Sequence, residues 1–286
     1  MSLFLMSAFD WKPMMQIDPE DIRDAKSILH QAIQNVASIG RKFLDPQPPE
    51  FNSRMVWVPA LTRMAGGWIP AETTFRSSLS LESFEIFIVD RKVHTLASFP
   101  LEGKNYSQLM IWLEEQIGKF GLDASNLTLN LPYKIPDHPV QQGEPFHIKS
   151  KRGLSEFSKF YHNTYIALRK IKERYENAEI YIWPNRFDIS MEITLKDTGD
   201  HDTNTRIAFG MSPGDKIFHN PYFFVSTWPN IDTEKCSKLS NNAIWMSEDW
   251  TGSVLLSKHI YEGDQQAKLE QFYNESGEQL IKLLLE

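Results

Sequence analysis

The sequence predicts an α+β fold, with antiparallel β-meanders flanked by helices. Two patterns carry this. Apolar and polar residues alternate with a period of two over 74–99, and again from Phe187 to Leu195 with further short strands after it. Segments of helical period with recognisable caps lie outside those runs and not between single strands. The order helix, meander, helix occurs twice. We therefore expect a single α+β unit over 1–286, with pseudo-halves 1–131 and 154–286 joined by a Pro- and Gly-rich loop at 132–153.

Asp18-Pro19-Glu20-Asp21 is a strong helix start. Asp18 can cap, Pro19 suits the first turn, and the acidic pair complements the N-terminal dipole. Ile22, Ala25, Leu29, Ala32, Ile33, Val36, Ile39 and Phe43 follow at helical spacing, so this helix should bury one stripe and wet the other. Met55–Leu61 reads as a short strand, and Gly66-Gly67 as a turn. Three strands are then expected between Thr74 and Phe99. Asn105 with Gln108 is a capping box for a second helix, which Gly121 stops. Leu127–Leu131 reads as a strand.

A third helix is expected from about Leu154 to Tyr175. The second meander takes in Ile180–Trp183, the run from Phe187 to Leu195, Arg206–Met211, Tyr222–Trp228 and Ser253–Tyr261. A last helix covers about Asp264–Leu285. Gly277 lies inside it, where glycine costs ~1 kcal/mol relative to alanine.

Of 286 residues, 41% are hydrophobic and 12% aromatic, enough for a substantial core. The net charge of −7 offers no footprint for nucleic acid. Cys236 is the single cysteine, which points to a reducing compartment. The apolar start, Met1–Phe9, lacks a basic flank and is too short for a leader or a span. A small strand or tucked-in arm is expected there. No run reaches membrane length, so the expectation is a cytoplasmic protein with no membrane partner.

Several apparent motifs fail on chemistry. Gly210-Met211-Ser212-Pro213-Gly214 fits G-x-S-x-G. A nucleophile elbow, however, needs a backbone N–H after the serine, and Pro213 has none. A β-turn centred on Pro213-Gly214 is the better reading. Asp188 and Glu192 share a strand face but lie ~13 Å apart along it, too far for a glycosidase pair. Asp197, Asp200, His201 and Asp202 have the composition of an exposed hairpin and match no EF-hand or zinc spacing. No metal and no cofactor is expected, since Walker A, G-x-G-x-x-G and H-E-x-x-H patterns are all absent from the sequence.

The aromatics concentrate in the C-terminal half: Trp183, Tyr222, Phe223, Phe224, Trp228, Trp245 and Trp250. Such residues build cores, and those with polar tips also line pockets. Asn185 and Arg186 precede the apolar strand start, and an arginine there can clamp a carboxylate or phosphate. His147 follows Pro145-Phe146 in the long loop.

Phe84-Glu85-Ile86 with Ile88-Val89-Asp90, Tyr106, Pro132 with Ile135-Pro136-Asp137, and Pro145-Phe146 form an ordered set. The set continues with Trp183…Phe187-Asp188-Ile189, then Ser212-Pro213-Gly214, Tyr222 and Trp228-Pro229. In this order they resemble a family of conserved bacterial proteins catalogued as a domain of unknown function. The resemblance implies one α+β unit across both halves and supplies no activity. Pro184-Asn185-Arg186 departs from the small residues that family has between the Trp and the Phe-Asp pair.

The leading expectation is a small-molecule-binding protein with a pocket at the C-terminal meander. Its candidate ligand-binding residues are Trp183, Asn185, Arg186, Asp188, Tyr222, Trp228 and His147. The alternatives are a hydrolase or transferase using Asp188 or His147 as acid or base, and an interaction module presenting an exposed aromatic patch. The sequence sets no oligomeric state.

Overall fold

The computed structural model describes residues 8–46, 51–125, 127–175 and 177–286. The expected N-terminal strand or arm lies outside them but for its last two residues. Among the described residues, four helices and two antiparallel sheets make up the α+β fold. The chain divides into two compact units. One is built chiefly from 17–158 and 182–187, the other from 9–16, 159–181 and 188–286.

In the first unit, helix α1 spans Pro19–Phe43, and Asp18 accepts the Glu20 N–H as its cap. The five-stranded sheet runs in sequence order: β1 Val56–Val58, β2 Arg63–Ala65, β3 Phe75–Ser80, β4 Glu85–Asp90, β5 Thr95–Pro100. The single strand expected over Met55–Leu61 is cut short. A 3-10 turn at Pro59–Leu61 and a left-handed Thr62 (φ 49°) reverse the chain into β2.

Helix α1 packs on β3, and Leu29, Ile33, Leu79, Ile86 and Ile88 are fully buried. Each such side chain contributes ~2 kcal/mol, so packing outweighs helix propensity here. Helix α2, Tyr106–Gly118, carries the expected capping box, with Asn105 and Gln108 bonding reciprocally. It borders β5, where Trp112 meets Phe99 at 5.2 Å.

Two expectations fail in this unit. Leu127–Leu131 forms no strand. Its alternation is real, but among the described residues no strand pairs with it, and the Asn130 N–H turns back to Thr128 Oγ1. Nor does α1 keep a wet face beyond its first turns, where Pro19 and Glu20 are exposed: from Ile28 to Gly40 every residue is buried, polar ones included.

Helix α3, Lys151–Lys172, begins three residues earlier than its periodicity suggests. In the second unit, α4, Gln265–Leu285, is capped by Asp264. The second sheet has the order β10-β11-β9-β8-β7-β6. These strands are β6 Ile180–Trp183, β7 Asp188–Lys196, β8 Thr205–Ser212, β9 Tyr222–Trp228, β10 Ile244–Met246 and β11 Gly252–Leu256. The three-residue β10 carries too little pattern to read from sequence, and the run after β11 is a 3-10 turn at Ser257–His259.

Helix α4 lies on β8, β9 and β11. Tyr273 meets Phe209 edge-on at 6.0 Å, and its hydroxyl donates to the Gly210 carbonyl. Ile189, Met191, Phe209, Met211, Phe223 and Val225 alternate onto that covered face. Asp188, Ser190, Ser212, Tyr222 and Phe224 belong to the opposite face.

Candidate functional site

In the first unit, residues 184–187 form a tight turn closed by the Phe187 N–H donating to the Trp183 carbonyl at 2.7 Å. Asn185 braces it by accepting the Arg186 N–H. Phe187 has φ 58°, an unusual value for a bulky residue. Its ring is fully buried, stacked on His30. Trp183 lies edge-on to Phe51 at 5.6 Å.

The buried polar row of α1 holds this turn. His30 Nε2 and Gln34 Nε2 both donate to the Pro184 carbonyl at 2.9 Å. A carbonyl only accepts, so Nε2 carries the imidazole proton. Burial holds the His30 pKa down at about 4, and the hydrogen bonds the imidazole donates to the Pro184 and Asn185 backbone only partly oppose it. The row continues outward. Tyr133 donates to Gln34 Oε1 at 2.8 Å, and Arg41 donates to the Tyr133 hydroxyl at 3.2 Å. Gln31 donates to the Pro136 carbonyl, and Tyr106 donates to the Gln31 carbonyl.

Sequence reasoning missed His30, Gln31 and Gln34. They occupy the face that the periodicity assigns to solvent. What they do is bind two loops, so Trp183, Asn185 and Arg186 stand on a rigidly seated turn. His147, also in this unit, is exposed. Its Nδ1 pairs with Glu102 at 2.5 Å, and the other Glu102 oxygen accepts the Ile148 N–H.

In the second unit, register brings Asp188 and Tyr222 to the same end of the sheet. Tyr222 pairs with Ser212 across β8–β9, and Ile189 pairs with Met211 across β7–β8. Asp188 therefore starts β7 beside Ser212. Both carboxylate and phenol are largely buried, at 4% and 5% exposure. The Tyr222 hydroxyl donates to Asp215 Oδ2 at 2.6 Å and takes a hydrogen bond from Ser212. Asp215 Oδ1 accepts the Ile217 and Phe218 N–H groups, which shapes the loop.

Burial, then Asp215 and the Asp188 charge, push the Tyr222 phenol well above its usual pKa, so it stays protonated. The buried Tyr161 is raised likewise, by burial first and by Asp188 second. A half-buried aromatic row leads away along the same face. Phe218 meets Tyr222 at 5.1 Å, Tyr222 meets Phe224 at 6.4 Å, and Phe224 meets Trp250 at 6.3 Å.

Ser212 ends β8 and leads into loop and then strand, not helix, and its Oγ accepts the Gly214 N–H. That is turn geometry, with no nucleophile elbow. Trp228 lies at the far end of β9, six residues and ~20 Å from Tyr222. It is half exposed (47%), and its ring N–H donates to the Asp202 carbonyl. There Arg206 Nη1 donates to Glu192 at 3.0 Å and to His201 Nε2 at 2.8 Å. Among the described residues no three His, Cys, Asp or Glu side chains form a metal-holding group.

No family model, no curated protein and no solved structure matches this chain. No described helix is long and apolar enough to cross a membrane.

Proposed function

We propose that the protein binds a small organic molecule at the face of the second sheet that carries Asp188, Ser212 and Tyr222, where they meet the half-buried row Phe218–Tyr222–Phe224–Trp250. The observation that supports this reading is the meeting of a largely buried carboxylate with a fixed phenol at the head of an aromatic row. The phenol proton is committed to Asp215 and one lone pair of its oxygen to Ser212, so Tyr222 offers the remaining lone pair as an acceptor. The Asp188 charge beside it favours a cationic or donor-rich head group. The rings accept a flat apolar body, and their faces attract the same cation. The ligand class is therefore an amine-bearing aromatic or apolar molecule.

A thermal-shift series with benzylamine, tryptamine and their uncharged alcohol counterparts tests the class. Amines at ~100 times their dissociation constant raise stability by about 2.7 kcal/mol, and the alcohols do so far less. Equal effects of amine and alcohol would remove the role given to Asp188. No shift from either would move the reading to an interaction surface around the half-exposed Trp228.

A further inference from the structure

The outer face of the five-stranded sheet, in the first unit, gathers arginines that the proposed pocket does not use. Register places Arg63 opposite Ser80, and Ser80 two steps from Ser78 and four from Arg76 along β3. All four share the face away from the buried Leu79, Ile86 and Ile88. The Arg63 guanidinium reaches across β3 to lie 3.6 Å from the centre of the Phe87 ring.

Arg76 lies over the Trp68 indole at 4.5 Å, and Arg91, from the β4–β5 turn, approaches the same ring at 5.8 Å. Sharing one ring, the Arg76 and Arg91 guanidinium carbons are at most ~10 Å apart. Among the described residues, none of the three arginines has an ion pair or hydrogen bond through its guanidinium, and the Nε of Arg63 and of Arg76 is buried without a partner. Glu85 is the carboxylate whose charge bears on Arg63. Burial alone bears on Arg76 and holds it below the usual arginine range.

Stacking fixes the plane of a guanidinium and leaves the N–H groups at its edge for an acceptor in that plane. Two such forks at one indole match the oxygens of a tetrahedral oxyanion. We infer that Arg76 and Arg91, set around Trp68 with Arg63 alongside, bind the phosphate group of a small phosphorylated molecule. The net charge of −7 repels a long polyanion, whereas a compact dianion feels chiefly the local arginines.

The test is phosphorus NMR line broadening and calorimetry on the full chain, with inorganic phosphate and phenyl phosphate as probes and benzoate as the carboxylate arm. Phenyl phosphate is expected to bind more tightly than benzoate. Arg91→Ala and Arg76→Met should each weaken it about tenfold or more. The exposed Arg152→Ala should leave it unchanged. Circular dichroism and melting temperature report folding. Arg91 lies in an exposed turn, so Arg91→Ala keeps the test open if Arg76→Met fails to fold. Phosphate and phenyl phosphate both failing to bind at ~10 mM, benzoate binding as well as phenyl phosphate, or affinity unaltered in Arg91→Ala would each overturn the inference.

Discussion

The imidazole of His30 lies parallel to the ring of Phe187, with centroids 5.0 Å apart and planes 6° apart. The same imidazole donates to the Pro184 carbonyl. One side chain thus fixes both the path and the buried end of the turn that holds Trp183, Asn185 and Arg186. Phe187 keeps its left-handed backbone (φ 58°) because its ring is held there.

His30 makes stability depend on pH. Its unfolded pKa is 6.5 and its folded pKa about 4. The unfolded chain therefore binds the extra proton between those values. The contribution is complete above pH 6.5 and is lost as pH falls towards 4, by up to about 3 kcal/mol. Urea unfolding at pH 7, 5.5 and 4 should show that loss. His30→Gln should be less stable at pH 7 but flatter across the window. An unchanged slope in the variant would mean that His30 is not buried neutral.

Much of this fold is legible because its signals are local. Asp18-Pro19 sets the start of α1, and Asn105 with Gln108 sets that of α2, through bonds made within one turn. What fails depends on partners far along the chain. Leu127–Leu131 alternates correctly, but pairing decides a strand, and among the described residues no strand pairs with it. His30, Gln31 and Gln34 read as a wet face because nothing nearby signals that Tyr133–Pro136 and Pro184 cover it. At the candidate site, the sequence picks out Asp188 and Tyr222. The role of Asp215 needs the loop geometry.

Gly277 shows the same limit. Propensity alone says that alanine should stabilise α4 by ~1 kcal/mol there. A Cβ at that position would meet Phe209 Cζ at 2.8 Å and Cε1 at 2.9 Å. Gly277→Ala should therefore destabilise, by about 1–3 kcal/mol, through overpacking. Adding Phe209→Leu should recover part of the loss, because it removes the atoms that clash. Chemical denaturation of the two singles and the double checks both signs.

Ser253 and Ser276 join β11 to α4 by a hydroxyl–hydroxyl bond of 2.8 Å, both side chains fully buried. Either single alanine substitution leaves a buried hydroxyl unpaired and should cost about 1–2 kcal/mol. The double substitution removes both polar groups and should cost less than the sum. A double-mutant cycle is expected to give a coupling of about 1 kcal/mol. Additive costs would show that the two hydroxyls do not depend on each other.

Asp188 and Tyr222 are proposed to head a binding site for an amine-bearing molecule. Fluorine NMR of 4-fluorobenzylamine, titrated into the wild-type chain, Tyr222→Phe and Asp188→Asn, tests it most directly. A saturable shift and broadening are expected in the wild-type protein. Binding should be about tenfold weaker in Asp188→Asn and weakened less in Tyr222→Phe, with both variants folded by circular dichroism. Wild-type binding that persists unaltered in the folded Asp188→Asn and Tyr222→Phe proteins would contradict it.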